Sequence, residues 1–171
     1  PPDFAIILLQ KWRCVMGKPS KLSKKILEQA IECGIESLAD WVHRKGYEVD
    51  FDYSVHDEFR PADNLITIST RCGREKQLYA FLHECGHLIL NNNEKLYEKK
   101  YPSSAKMAHF QSNKKLERSH KYKIDVISEE IDAWRKGREL AKRLDIYVDE
   151  EKYYSLMTEC VYTYVKHLAR S

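Results

Sequence analysis

The stretch that most restricts what this chain can fold into is Leu78 to Asn91, LYAFLHECGHLILN. It carries His83-Glu84-Cys85-Gly86-His87 at H-E-x-x-H spacing. A separation of four puts both imidazoles on one face of an α-helix, one turn apart, where they can grip a single metal ion. Helical spacing is independently present, because Leu78, Phe81, Leu82, Cys85 and Ile89 recur at i, i+3, i+4 and i+7 intervals. The histidines then lie at the edge of an apolar stripe, and Cys85 belongs to that stripe as a small buried hydrophobe. With 7 His and 16 Glu in 171 residues, the motif arises by accident in roughly three chains per hundred of this composition. The amphipathic context lowers that further. A catalytic zinc takes three protein ligands and keeps one position open, and Glu84 stands where a carboxylate can take a proton from metal-bound water.

The third ligand is sought on the helix predicted over Ile124 to Leu144, which contains Ser128-Glu129-Glu130-Ile131-Asp132-Ala133-Trp134. At 100° per residue, Val126, Ile127, Ala133, Trp134, Gly137, Leu140, Ala141 and Leu144 spread over an arc centred near Glu130. A carboxylate aimed at a core is costly unless a cation, a metal or strong donors await it. Glu130 is therefore the candidate third ligand. Glu129, about 100° round the helix, is the alternative, and Asp132 is expected to face solvent.

The remaining elements read more simply. Phe4 to Trp12 is an apolar cluster closed by Gly17 and Pro19, a short helix or a strand. Ile26 to Val42 repeats at helical spacing, giving a helix from about Leu22 to Lys45 with Ser23 as its cap and Gly46 at its end. Tyr47, Val49, Phe51 and Tyr53 alternate with acidic residues as a half-exposed strand, and a second strand is expected over Leu65 to Thr70. Ser54 to Asn64 between them reads as a loop or widened hairpin, with His56 a solvated loop residue. The motif helix should stop at Asn91-Asn92-Asn93, where Asn tolerates a left-handed turn. A final helix runs from Asp149 to about Leu168, and its aromatic stripe, Tyr153 and Tyr164 included, reads as core.

Residues 94 to 123 carry nine Lys/Arg against three Glu, a local balance of +6 in a chain of net +3. With Pro102, Ser103, Ser104, Ser112 and Asn113 scattered through it, this segment reads as a long basic loop or insertion in a single domain spanning 1–171. It is expected to be solvated, and contact with nucleic acid is expected only indirectly or through it. Its end holds His120 and Tyr122, the nearest candidates for an oxyanion donor.

Composition excludes other classes. Hydrophobic residues at 43% and aromatic residues at 11% are those of a folded domain. The apolar run Phe4 to Leu9 is too short to span a membrane and follows Asp3, so no membrane partner is expected. The chain opens on Pro1-Pro2 without Met, so a trimmed or processed start is expected. Five cysteines, Cys14, Cys33, Cys72, Cys85 and Cys160, form no C-x-x-C pair, which suits a reducing, cytoplasmic setting. No Gly-rich phosphate loop and no Ser-centred nucleophile elbow occurs.

In its two chemical stretches the chain resembles the gluzincin metallopeptidases of the ImmA/IrrE type. H-E-C-G-H-L-I-L at 83–90 is like that family's H-E-x-G-H and the apolar residues after it, and E-I-D-A-W at 130–134 is like its E-x-E-A-N. The resemblance implies an α+β fold, with a mixed or antiparallel sheet of about three strands packed on the active-site helix and an edge strand near the cleft. It implies His83, His87 and Glu130 as zinc ligands and Glu84 as general base. Trp134 stands where the family commonly has Asn or Asp, so the partner that orients the histidines is not supplied by the match. Members include phage, mobile-element and bacterial stress proteins that cleave transcriptional repressors, which points to a zinc endopeptidase acting on a protein substrate. The rival expectation is a non-catalytic binding module, a phage or stress-response factor with a vestigial metal site and a basic docking segment.

Overall fold

The computed structural model describes residues 21–109 and 113–170; the apolar cluster at 4–12 lies outside them. The elements run α1 (Lys21–His43), β1 (Glu48–Asp52), β2 (Glu58–Arg60), a 3-10 turn (Pro61–Asp63), β3 (Leu65–Ser69), α2 (Arg74–Asn91), α3 (Glu94–Lys100), α4 (Pro102–His109), α5 (Lys114–Glu117), α6 (His120–Arg143) and α7 (Glu150–Arg170). This is an α+β fold with a three-stranded mixed sheet.

The sheet order is β1-β3-β2, with β3 parallel to β1 and antiparallel to β2. The expected loop between the two predicted strands therefore hides an edge strand, and the hairpin partner of β3 is β2. Three residues, Glu-Phe-Arg, are too few to show alternation, and the turn after them closes on Asn64 in the left-handed region at φ 52°. Central β3 buries Ile66 and Ile68 completely. The sheet meets α2 through Phe51 and Phe81, whose rings pack edge to face at 5.6 Å.

The motif helix α2 is buried nearly all round, beyond the one-sided stripe expected of it. Leu78, Phe81, Leu82 and Cys85 have no exposed surface, and Gln77, His83 and Glu84 are buried with them. It is the axis of the molecule, flanked by α1, the sheet and α6. Its crossing with α6 is closer than side chains normally permit. A Cβ on Gly86 would stand 1.9 Å from the carbonyl oxygen of Ala133, and one on Gly137 would stand 2.2 Å from that of Leu82. Two glycines, one on each helix, let the backbones touch and bring Glu130 to the histidines.

Some local expectations are corrected. Ser23 lies inside α1, while Gly46 ends that helix's following turn at φ 83°. Asn91-Asn92-Asn93 does stop α2, but through no left-handed residue: Asn92 is right-handed, and the side chain of Asn93 accepts from Leu96 N–H to cap α3. The basic segment is built of short helices over its described residues. Tyr101 donates to Asp132 at 2.7 Å, Lys100 pairs with Asp132 at 2.7 Å, and Ser103 N–H donates to Asp125 at 2.6 Å. Asp132 is covered by this layer and does not face solvent. Ser119 caps α6 one turn earlier than expected, which places His120 and Tyr122 on the helix.

Candidate metal centre

The close crossing of α2 and α6 gathers three donor side chains at one point. His83 Nε2 lies 3.2 Å from His87 Nε2 and 3.2 Å from Glu130 Oε2, and His87 Nε2 lies 3.6 Å from Glu130 Oε1. A tetrahedral ion with bonds of about 2.0–2.1 Å spaces its donors by roughly 3.3–3.4 Å. Two imidazole nitrogens pointed at each other have no mutual satisfaction unless one carries the proton, and Glu130 Oε2 has no hydrogen-bond partner among the described residues. The donor set, its spacing and that orphaned oxygen fit a metal ion: this buried His-His-Glu group could hold one. Glu130, 7% exposed, faces the histidines as its apolar arc requires.

Without an ion the site holds charge in fixed places. Burial works to raise Glu130, but the His83 and His87 imidazoles beside it outweigh that and hold the carboxyl at about 2. Burial lowers His83. For His87 burial is outweighed by Glu129 and Glu130, which raise it to about 10. Glu84 is buried, and burial pushes it up to about 7.

The two imidazoles are held differently. His83 stacks on Trp134, with ring centroids 4.5 Å apart at 22°, and its Nδ1 has no partner among the described residues. Trp134 is itself braced by Tyr153, which packs at 5.2 Å and donates to the Trp134 carbonyl at 2.8 Å. His87 Nδ1 lies 3.6 Å from Glu129 Oε1, and Glu129 Oε2 accepts from the hydroxyl of Tyr97 at 2.8 Å. Glu129 thus stands behind a histidine, outside the triad.

The centre opens on a cleft of about 330 Å³ lined by Asp57, Glu58 and Phe59 on one side and by Tyr97, Glu129 and Tyr164 on the other. Edge strand β2 forms one wall. Tyr164, 39% exposed, comes from α7 to the cleft wall, and burial followed by the charge of Glu130 keeps its phenol protonated. His120 and Tyr122 are not on the cleft wall; they precede Glu130 by ten and eight residues, roughly 15 and 12 Å along the same helix. The cleft residues Asp57, Phe59, Tyr97 and Tyr164 carry no motif, and Tyr164 falls on a stripe that reads as core. His56 is exposed, as expected of a loop residue.

No family model matches the chain, nor does any curated protein or solved structure. Fold and site define it as an α+β protein in which two helices bring together a buried His-His-Glu group that could hold a metal ion, beside a cleft.

Proposed function

We propose that this chain is a zinc-dependent endopeptidase, and what carries the reading is the placement of Glu84. A site that only held a metal would have no use for a second buried carboxylate beside its ligands, facing an open cleft. Two imidazoles and one carboxylate with a free fourth position are the donor set of a catalytic zinc. Bound there, zinc would polarise a scissile carbonyl and acidify a water.

The protein's own groups would do the rest. An extended peptide would lie along edge strand β2, whose Glu58 and Phe59 line the cleft. Glu84 would accept the proton of the attacking water on its carboxylate and return it to the leaving amine. Tyr164, a protonated phenol on the cleft wall, is placed to donate to the carbonyl oxygen as charge develops there, the role that sequence reasoning assigned to His120 or Tyr122. The substrate class favoured is a regulatory protein, in line with the resemblance at 83–90 and 130–134. The test is metal analysis of the purified chain, then incubation of the zinc-loaded protein and its Glu84→Gln variant with repressors from the same genetic neighbourhood. Cleavage by the wild type alone supports the proposal. Equal cleavage by the variant would remove it, and zinc binding with no cleavage of any substrate would favour the binding-module reading.

A further inference from the structure

The basic segment, which composition marks as a solvated loop, reaches the metal centre through one hydroxyl. Asp125, Glu129 and Asp132 lie at i, i+4 and i+7 on α6 and so form one acidic face. The segment covers that face: Ser103 N–H donates to Asp125, Tyr97 to Glu129, and Tyr101 and Lys100 to Asp132. Of the three carboxylates, Glu129 also faces His87, using its other oxygen. With Nε2 of His87 turned into the triad, the ring proton belongs on Nδ1, where a carboxylate fixes both the tautomer and the rotation of the ring. Among the described residues His83 Nδ1 has no such partner, and the ring stacks on the face of Trp134.

We infer that Glu129 and Tyr97 are positioning residues for the metal centre: α3, docked by Tyr97 on Glu129, orients His87. This rests on the reading of the triad as a metal site. It supplies, from the residue next to the ligand Glu130, the orienting partner that Trp134 cannot be. Tyr97 acts only through Glu129, so the two substitutions should not add.

The test measures zinc affinity of the full chain by competition with a chromophoric chelator, with circular dichroism to establish folding and no substrate present. Glu129→Ala should still bind one zinc but about 10–100-fold more weakly, with Glu129→Gln between it and wild type. Tyr97→Phe should show a smaller loss, and the Glu129→Ala/Tyr97→Phe double variant should be no weaker than Glu129→Ala alone. In the zinc-loaded wild type His87 Nδ1–H should give a slowly exchanging NMR resonance that Glu129→Ala abolishes, a signature that mere destabilisation would not remove. Unchanged affinity in Glu129→Ala, or an equal Tyr97→Phe loss with and without Glu129, would overturn the inference. Should Glu129→Ala misfold, Tyr97→Phe and Glu129→Gln decide by the same readouts. A wild-type chain that binds no zinc overturns the metal reading and this inference together, whereas zinc-binding wild type with an indifferent Glu129 overturns this inference alone.

Discussion

Two adjacent glutamates on α6 illustrate how much a 100° rotation decides. Glu130, at the centre of the apolar arc, converges on both histidines, while Glu129 lies behind one of them. Glu130→Ala should therefore remove tight zinc binding, as should His83→Ala and His87→Ala, because two ligands cannot hold the ion; isothermal titration of the folded variants measures it. Full occupancy in any of the three would refute the triad. Glu84→Gln should separate binding from chemistry, keeping one zinc by mass spectrometry while turnover falls by about 10²–10⁴-fold, since the amide accepts no proton. Tyr164→Phe is expected to lower kcat by about 10²–10³-fold, as the loss of one oxyanion donor does elsewhere. A Tyr164→Phe enzyme with normal kcat would return that role to another group.

At the scale of elements, the α2–α6 crossing is the feature on which the site depends. Gly86 sits in a helix interior, where glycine ordinarily costs about 0.5–1 kcal/mol relative to Ala, and is tolerated because the carbonyl of Ala133 leaves no room for a methyl. Gly86→Ala should thus destabilise the fold by about 1–3 kcal/mol or more, against the usual gain from Gly→Ala in a helix. A thermal melt reads the sign directly: a raised melting temperature would mean that the helices are not in backbone contact. Farther along α6, Arg138 is nearly buried and its guanidinium spans both oxygens of Glu150 at the start of α7. Its hydrogen bond lowers the Glu150 pKa. Stability from a carboxylate lowered on folding is fully present above its unfolded pKa and is lost as pH falls through the folded one. Glu150→Gln should accordingly flatten the acid limb of the melting-temperature profile below about pH 4.5 and leave less change there than wild type shows.

For the whole molecule, the metal centre joins α2 to α6 and, through Tyr97 and Tyr164, touches α3 and α7, so ligand binding should stabilise the assembly of all four. Zinc at about 100 times its dissociation constant adds about 2.7 kcal/mol, which for a chain of this size raises the melting temperature by roughly 5–11 °C, reversed by chelator. A melting temperature indifferent to zinc and chelator would show that nothing binds the folded state selectively. Among the described residues no helix is long and apolar enough to cross a membrane. Cys33, Cys72, Cys85 and Cys160 are free thiols, so packing, without disulfides among these residues, holds the described fold together.

What the amino-acid sequence determined by itself was whatever depends on local period: helices α1, α2, α6 and α7, strands β1 and β3, the shared face of His83 and His87, and the inward aim of Glu130. Each is a matter of 3.6 or 2.0 residues per repeat, which neighbouring side chains alone display. Tertiary structure decided everything that depends on who covers whom. Strand β2 is too short to show a period and exists by pairing with β3. Asp132 is polar and reads as solvent-facing, yet Tyr101 covers it. Tyr164 reads as core and lines a cleft, because α7 leaves that face open where it passes the metal centre. The hydroxyl that meets Glu129 behind His87, that of Tyr97, comes from a helix in the segment that composition marks as a loop, and such a contact leaves no repeat, spacing or charge by which to find it.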